Sequence, residues 1–228
     1  MELIIIILSI ITIIVLGFIM KINVKDLKKK SLDKELSQIA NRCSNNKKIC
    51  EEILEKLNNP TVTIEENLET DSTLYIAVAN KIQLGNMHDS YLRIQTIAHE
   101  CLHSVQDRKL LMFNFIYSNI YLIYFVIITI LAIIKKIENP LLFSNILLIL
   151  SLIFFLIRGF LENDAMIKAE FIATEYVEEQ KELTKEEKEK IEKGFKEINK
   201  VAIPGTNYML LCNIIIKVII FNVVALIF

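Results

Sequence analysis

The sequence predicts a mainly α integral membrane protein, with about four transmembrane helices and a small α+β aqueous part. Three observations lead there. Hydrophobic residues make up 53% of the chain while 23% are charged, so the two classes must be segregated at a mean hydropathy of +0.43. Four apolar blocks each approach the roughly 20 residues that cross a hydrocarbon core. The stretches between them are rich in Lys and Glu and carry helical or strand-like periodicity. A net charge of -1 gives no basic surface for nucleic acid, so the bilayer is the partner that the composition implies.

The first apolar block, Leu3 to Met20, follows only Met1 and Glu2. It has neither the positive flank nor the small-residue cleavage site of a secretory signal and reads as a retained anchor, residues 1–20. Lys21, Lys25, Lys28, Lys29, Lys30 and Lys34 follow it closely, which predicts a cytoplasmic aqueous segment over 21–110. Within that segment, Ser31 is a candidate cap for a helix, and Ile53, Leu54 and Leu57 form the stripe of a second one. Asn58-Asn59-Pro60 stops it. Thr61–Ile64 and Leu74–Val78 read as two short strands that pair with each other. After Gly85-Asn86, a helix is expected from Asp89 or Ser90 to about Arg108, with Leu92, Ile97, Cys101 and Val105 on its apolar side.

Residues 111–160 form a transmembrane hairpin, with spans over about Met112–Ile134 and Leu141–Ile157 and a turn at Lys135, Lys136 and Asn139-Pro140. The second of these spans is expected to continue as an aqueous helix over 161–180. Thr184-Lys185-Glu186-Glu187 is a capping box opening a further helix, whose stripe is Ile191, Phe195 and Ile198. The last span, within residues 207–228, carries Lys217 near Asn213 and Asn222, a costly placement that predicts pairing between helices. This topology puts both aqueous segments, 21–110 and 161–206, on the cytoplasmic face. Cys43, Cys50, Cys101 and Cys212 have no metal-knuckle spacing and read as reduced thiols.

Chemistry concentrates in Ala98-His99-Glu100-Cys101-Leu102-His103. On a helix, residues i and i+4 share a face, so His99 and His103 can reach one ion. Zinc at such a pair lowers the pKa of its water, and Glu100 stands where a general base is needed. A third protein donor is required. His88 lies in the preceding loop, while Glu162, Asp164, Glu170 and Glu175 lie on the helix after the third span. Glu162 and Glu170, two turns apart, are both candidates for a gluzincin-type site. Asp107 is a candidate partner for the His103 imidazole or, equally, for Arg108 or Lys109 in a surface salt bridge; Asn207 and Tyr208 are candidate oxyanion donors, although Tyr208 better suits an interfacial aromatic.

The anchor, the Thr96–Asp107 stretch with its His-Glu-x-x-His-x-x-Gln-Asp pattern, the long hairpin and the later Glu170-Phe171-Ile172-Ala173-Thr174 together resemble the YugP-type neutral zinc metallopeptidases of bacterial membranes. The resemblance spans nearly the whole chain. It implies Glu170 as the third ligand beside His99 and His103, with Glu162-Asn163-Asp164-Ala165 as the less complete match. Two positions depart from the family pattern: Leu102 replaces a Gly, and Ile172 replaces an Asp. The expectation is a zincin-like peptidase in a bacterial cell membrane, acting on a peptide or protein substrate with Zn2+ as cofactor. An extended substrate would add to the strand at Leu74–Val78. The rival reading is a membrane scaffold or assembly factor with a structural or vestigial zinc site. Glu100 separates the two, because a structural site gains nothing from a glutamate that is not a ligand. A transporter fits less well, since its binding groups would gather at mid-membrane.

Overall fold

Long apolar runs with no internal breaker become long helices in this chain. A computed structural model describes residues 1–87 and 90–228. His88 and the expected cap Asp89 lie outside the described residues. The described chain is mostly helical, with one three-stranded sheet. In order it forms α1 (Glu2–Ile19), α2 (Val24–Ser31), α3 (Lys34–Ala40), α4 (Asn46–Lys56), β1 (Thr63–Glu66), β2 (Leu74–Ile76) and β3 (Lys81–Leu84). Four more helices follow: α5 (Arg93–Val105), α6 (Arg108–Ile133), α7 (Pro140–Glu178) and α8 (Lys185–Ile227). Helices α1, α6, α7 and α8 are long and apolar enough to cross a membrane.

The chain divides into two units that alternate along the sequence. One comprises Met1–Ile22, Met112–Phe160 and Pro204–Phe228, and the other Asn23–Leu111 and Leu161–Ile203. In the first, apolar unit, α6 and α7 run antiparallel. Tyr117 donates to Leu150 O at 3.0 Å and Tyr124 to Phe143 O at 3.2 Å. Asn222 of α8 donates to Ser144 Oγ at 2.8 Å, and Leu147, Val218 and Phe221 are buried around that level. Tyr208 donates to Ile13 O at 3.3 Å, which brings α8 against α1 beside Gly17.

The second unit holds the sheet and its own core. The expected pairing of the first two strands does not occur. A third strand, Lys81–Leu84, lies between them, parallel to β1 and antiparallel to β2. Ile82 and Leu84 of this central strand are buried. Side-chain caps define the helix starts: Asp33 accepts from Leu36 N at 3.0 Å and Asn45 from Lys48 N at 2.9 Å. Asp33 thus takes the capping role expected of Ser31, which instead closes α2. Arg93, the first residue of α5, is buried and donates to Ala40 O, Cys43 O, Ser44 O and Asn46 Oδ1, tying the α3–α4 turn to this helix.

Helix α5 is shorter than its periodicity suggests. It ends at Val105, and the extended backbone of Gln106 separates it from α6. The third apolar span and the aqueous helix after it form the single helix α7, as the sequence predicts. The last span is likewise continuous with the helix opened by Thr184, which passes through Pro204. The capping box forms, with Glu187 Oε2 accepting from Thr184 N at 2.8 Å and Thr184 Oγ1 accepting from Glu187 N at 3.4 Å.

Candidate metal centre

Helical spacing brings His99 and His103 of α5 together. Their Nε2 atoms lie 3.1 Å apart, and the rings meet edge-on with centroids 4.5 Å apart. Glu162 of α7 supplies a carboxylate to both. Its Oε2 is 3.4 Å from His99 Nε2, and its Oε1 is 3.7 Å from His103 Nε2. Tetrahedral donors at zinc-ligand distances of about 2.0–2.1 Å would stand roughly 3.3 Å from one another. The three separations bracket that spacing, so the donor set fits a small tetrahedral cation. This group could hold a metal ion.

The expected third ligand, Glu170, lies elsewhere. Its Oε2 accepts from Asn199 Nδ2 at 2.9 Å, and Asn199 Oδ1 in turn accepts from Gln95 Nε2 at 2.8 Å. The cause is helix geometry. Eight residues on an α-helix advance about 12 Å and turn about 80° beyond two full turns. Glu162, Ala165, Ala169, Ala173 and Tyr176 share the buried face of α7. Three alanines on that face let α7 approach closely, which seats Glu162 at the histidines. Glu170, rotated off that face, turns to α8 instead. The other acidic candidates have different partners: Asp164 pairs with Lys168 at 2.6 Å, and Glu175 lies 3.6 Å from Lys56 Nζ.

Gln106, just past α5, is the residue to which sequence reasoning gave no role. Its Nε2 donates to Leu161 O at 2.8 Å and to Asp164 Oδ2 at 3.1 Å, which fixes the amide so that Oε1 faces His103 Nδ1 at 2.8 Å. His103 therefore carries its proton on Nδ1 and presents a bare Nε2 toward Glu162 and His99. Gln106 thus orients one imidazole and clips α5 to the turn of α7 that carries Glu162. Its signal was present, since it stands three residues after His103, but a glutamine there also suits a solvated helix end. Asp107, expected beside His103, caps α6 through Leu110 N at 2.9 Å.

Glu100 is nearly buried and stands outside the donor triad. Its Oε1 is 4.0 Å from His99 Nε2, and its Oε2 accepts from Tyr75 N at 2.6 Å. In the β2–β3 register Tyr75 faces Ile82. With its N–H turned to Glu100, Tyr75 points its backbone away from β3, along the free edge of the sheet. The edge strand and the carboxylate are thus in direct contact. Burial pushes the Tyr75 phenol above its ordinary value, and its hydroxyl donates to Asn80 Oδ1 at 2.9 Å. At Asp164 burial pushes the carboxyl up, but hydrogen bonds from Lys168 and Gln106 prevail and hold it below the usual range.

Cys101 is fully buried on the opposite side of α5, with its Sγ 3.6 Å from Cys50 Sγ, and all four cysteines are free thiols. Tyr208 makes its bond to Ile13 O within the apolar unit. No protein-family model matches this chain, and searches of the curated proteins and of the solved structures find no match.

Proposed function

We propose that this chain is a membrane-bound zinc-dependent peptidase. The observation that carries the reading is a three-donor group, His99, His103 and Glu162, with a non-ligand carboxylate, Glu100, beside it and against the edge strand. A four-coordinate ion held by three protein donors keeps one position for water or substrate, as hydrolytic sites require and closed structural sites do not. The resemblance to YugP-type enzymes points the same way. A zinc ion held there would lower the pKa of its water and polarise a peptide carbonyl.

The chain's own residues then have distinct tasks. Glu100 takes the proton from the attacking water and returns it to the leaving amine. Gln106 keeps His103 in the tautomer with a bare Nε2. The free edge of β2 offers backbone groups to an extended substrate, and Tyr75 N–H is exchanged from Glu100 to that substrate on binding. The lysines after the first apolar helix favour a cytoplasmic site, and the resemblance favours a bacterial cell membrane.

The test uses the full chain purified in detergent. Elemental analysis should find about one zinc per chain, lost in His99→Ala and in Glu162→Ala. Cleavage of an unstructured protein substrate should then disappear in Glu100→Gln while zinc content stays. Wild-type protein that is offered zinc and holds none would sink the proposal. A zinc-loaded chain in which Glu100→Gln changes nothing would instead favour a structural metal site.

A further inference from the structure

The apolar unit carries one lysine deep within an apolar helix, with no carboxylate at its level. Lys217 lies midway along the apolar part of α8, among Ile214, Ile215, Ile216, Val218, Ile219 and Ile220. Its Nζ sits 5.3 Å from the centroid of the Tyr121 ring and is hydrogen-bonded to Asn213 Oδ1. Tyr121 is itself midway along α6, stacked on Phe154 and 3.0 Å from Ser151 Oγ. The ammonium is therefore held at mid-helix height rather than stretched toward either end. A lysine in that position is costly in a bilayer and calls for a specific partner.

Nothing acidic in the unit can serve. Its sequence contains only two carboxylates, Glu2 at the start of α1 and Glu138 in the turn between α6 and α7. Glu2 is already paired with the amino terminus at 3.2 Å. Lys217 is half-buried, at the border between the buried and the exposed faces of α8. Asn213, Ile216 and Ile220 are exposed at helical spacing around it, with Met209 one turn earlier, while Ile214, Val218 and Phe221 on the other side are buried. The outward stripe thus has apolar flanks and a polar centre, a pattern suited to pairing with another helix.

We infer that the Asn213–Lys217 face of α8 docks a transmembrane helix of another protein that carries a carboxylate at mid-span. A second copy of this chain is a poor occupant. Two-fold pairing through this face would set Lys217 against its counterpart, and neither Glu2 nor Glu138 lies at mid-helix. A lipid headgroup stays at the interface, away from the ring that holds the ammonium. The partner needs a deep acid, and the Lys217–Tyr121–Asn213 cluster holds the cation at the depth where that acid would stand.

The test reconstitutes the full chain in phosphatidylcholine vesicles with a labelled, Leu-rich transmembrane peptide that carries one central Glu. An otherwise identical all-Leu peptide is the control. Energy transfer is read at about pH 8, where the glutamate has its best opportunity to ionise. The Glu peptide should associate about tenfold more tightly than the all-Leu peptide. Lys217→Met should abolish that preference with the helical circular dichroism unchanged, and Lys217→Arg should keep it. Equal association of the two peptides with wild type would overturn the inference. So would a preference that survives in Lys217→Met, or Lys217-dependent self-association of a chain that ignores both peptides.

Discussion

Replacing Gln106 with Ala removes one side chain and three hydrogen bonds, to His103 Nδ1, Leu161 O and Asp164 Oδ2. Asp164 keeps Lys168 as a partner, so the uncompensated losses fall on His103 and Leu161. Each such bond contributes about 1 kcal/mol net, and a partner stranded in the interior costs about 1–3 kcal/mol. Gln106 is only part-buried, so water can reach the vacated space, and a destabilisation of about 2 kcal/mol is expected. The larger effect is on metal. Losing the group that orients a ligating imidazole typically weakens metal binding about 10- to 100-fold, so the zinc affinity of Gln106→Ala should fall by that factor. Gln106→Glu divides the two tasks. Its carboxylate can still accept from His103 Nδ1–H but can neither donate to Leu161 O nor sit comfortably beside Asp164. It should therefore keep more of the affinity than Ala while losing comparable stability. Competition against a chromophoric zinc chelator, with thermal unfolding in parallel, measures both. A folded Gln106→Ala protein that binds zinc as tightly as wild type would refute the orienting role.

Zinc taken up by the proposed site should be retained in Glu170→Ala, because Glu170 bonds Asn199 rather than the histidines, yet this variant should lose roughly 1–3 kcal/mol of stability as the Gln95–Asn199–Glu170 chain is broken; elemental analysis and thermal unfolding on the same sample check both halves. Glu187 is held down to about 2, first by the hydrogen bond from Arg42 and then by Thr184 N–H. A depressed carboxyl stabilises the fold above its ordinary value of 4.5 and loses that contribution as pH falls toward about 2. The melting-temperature gap between wild type and Glu187→Gln should accordingly close across that window, and a gap that widens there would contradict the assignment. Gly85→Ala should destabilise by about 1–3 kcal/mol, since a Cβ there would stand 2.8 Å from backbone atoms of Asp71 and Ser72; denaturant unfolding of the purified chain reads the difference.

Local chemistry in this chain was legible, and long-range pairing was not. The His99–His103 pair follows from the pitch of one helix, and the Thr184–Glu187 capping box from a four-residue pattern. The four apolar helices follow from length and composition. The choice between Glu162 and Glu170 depends on which face of α7 is buried, and that is set by Ala165, Ala169 and Ala173 against elements far away in sequence. Ile82 and Leu84 alternate as strand residues should. Lys81 and Gln83 beside them read as surface, although the strand is the central one, because its parallel partner β1 is separated from it in sequence by β2. Gln106 has no distinguishing sequence feature beyond its distance from His103. Its role depends on meeting Leu161 and Asp164, which no local rule supplies.

The Gln106–Leu161 bond joins residues 55 positions apart, and between them lie the whole of α6 and the apolar half of α7. Closing a chain of that length costs on the order of 3.5 kcal/mol in a flexible polymer. A helical hairpin returns its two ends to one place, so forming α6 against α7 first removes most of that cost. The order of synthesis then follows. A nascent chain that has emerged only as far as α6 carries His99 and His103 but not yet Glu162, so the proposed three-donor group is still incomplete. The last donor arrives only once the apolar hairpin has been made. A cation bound there would fasten the base of the loop, and chelation would loosen that fastening before it disturbs the rest of the fold.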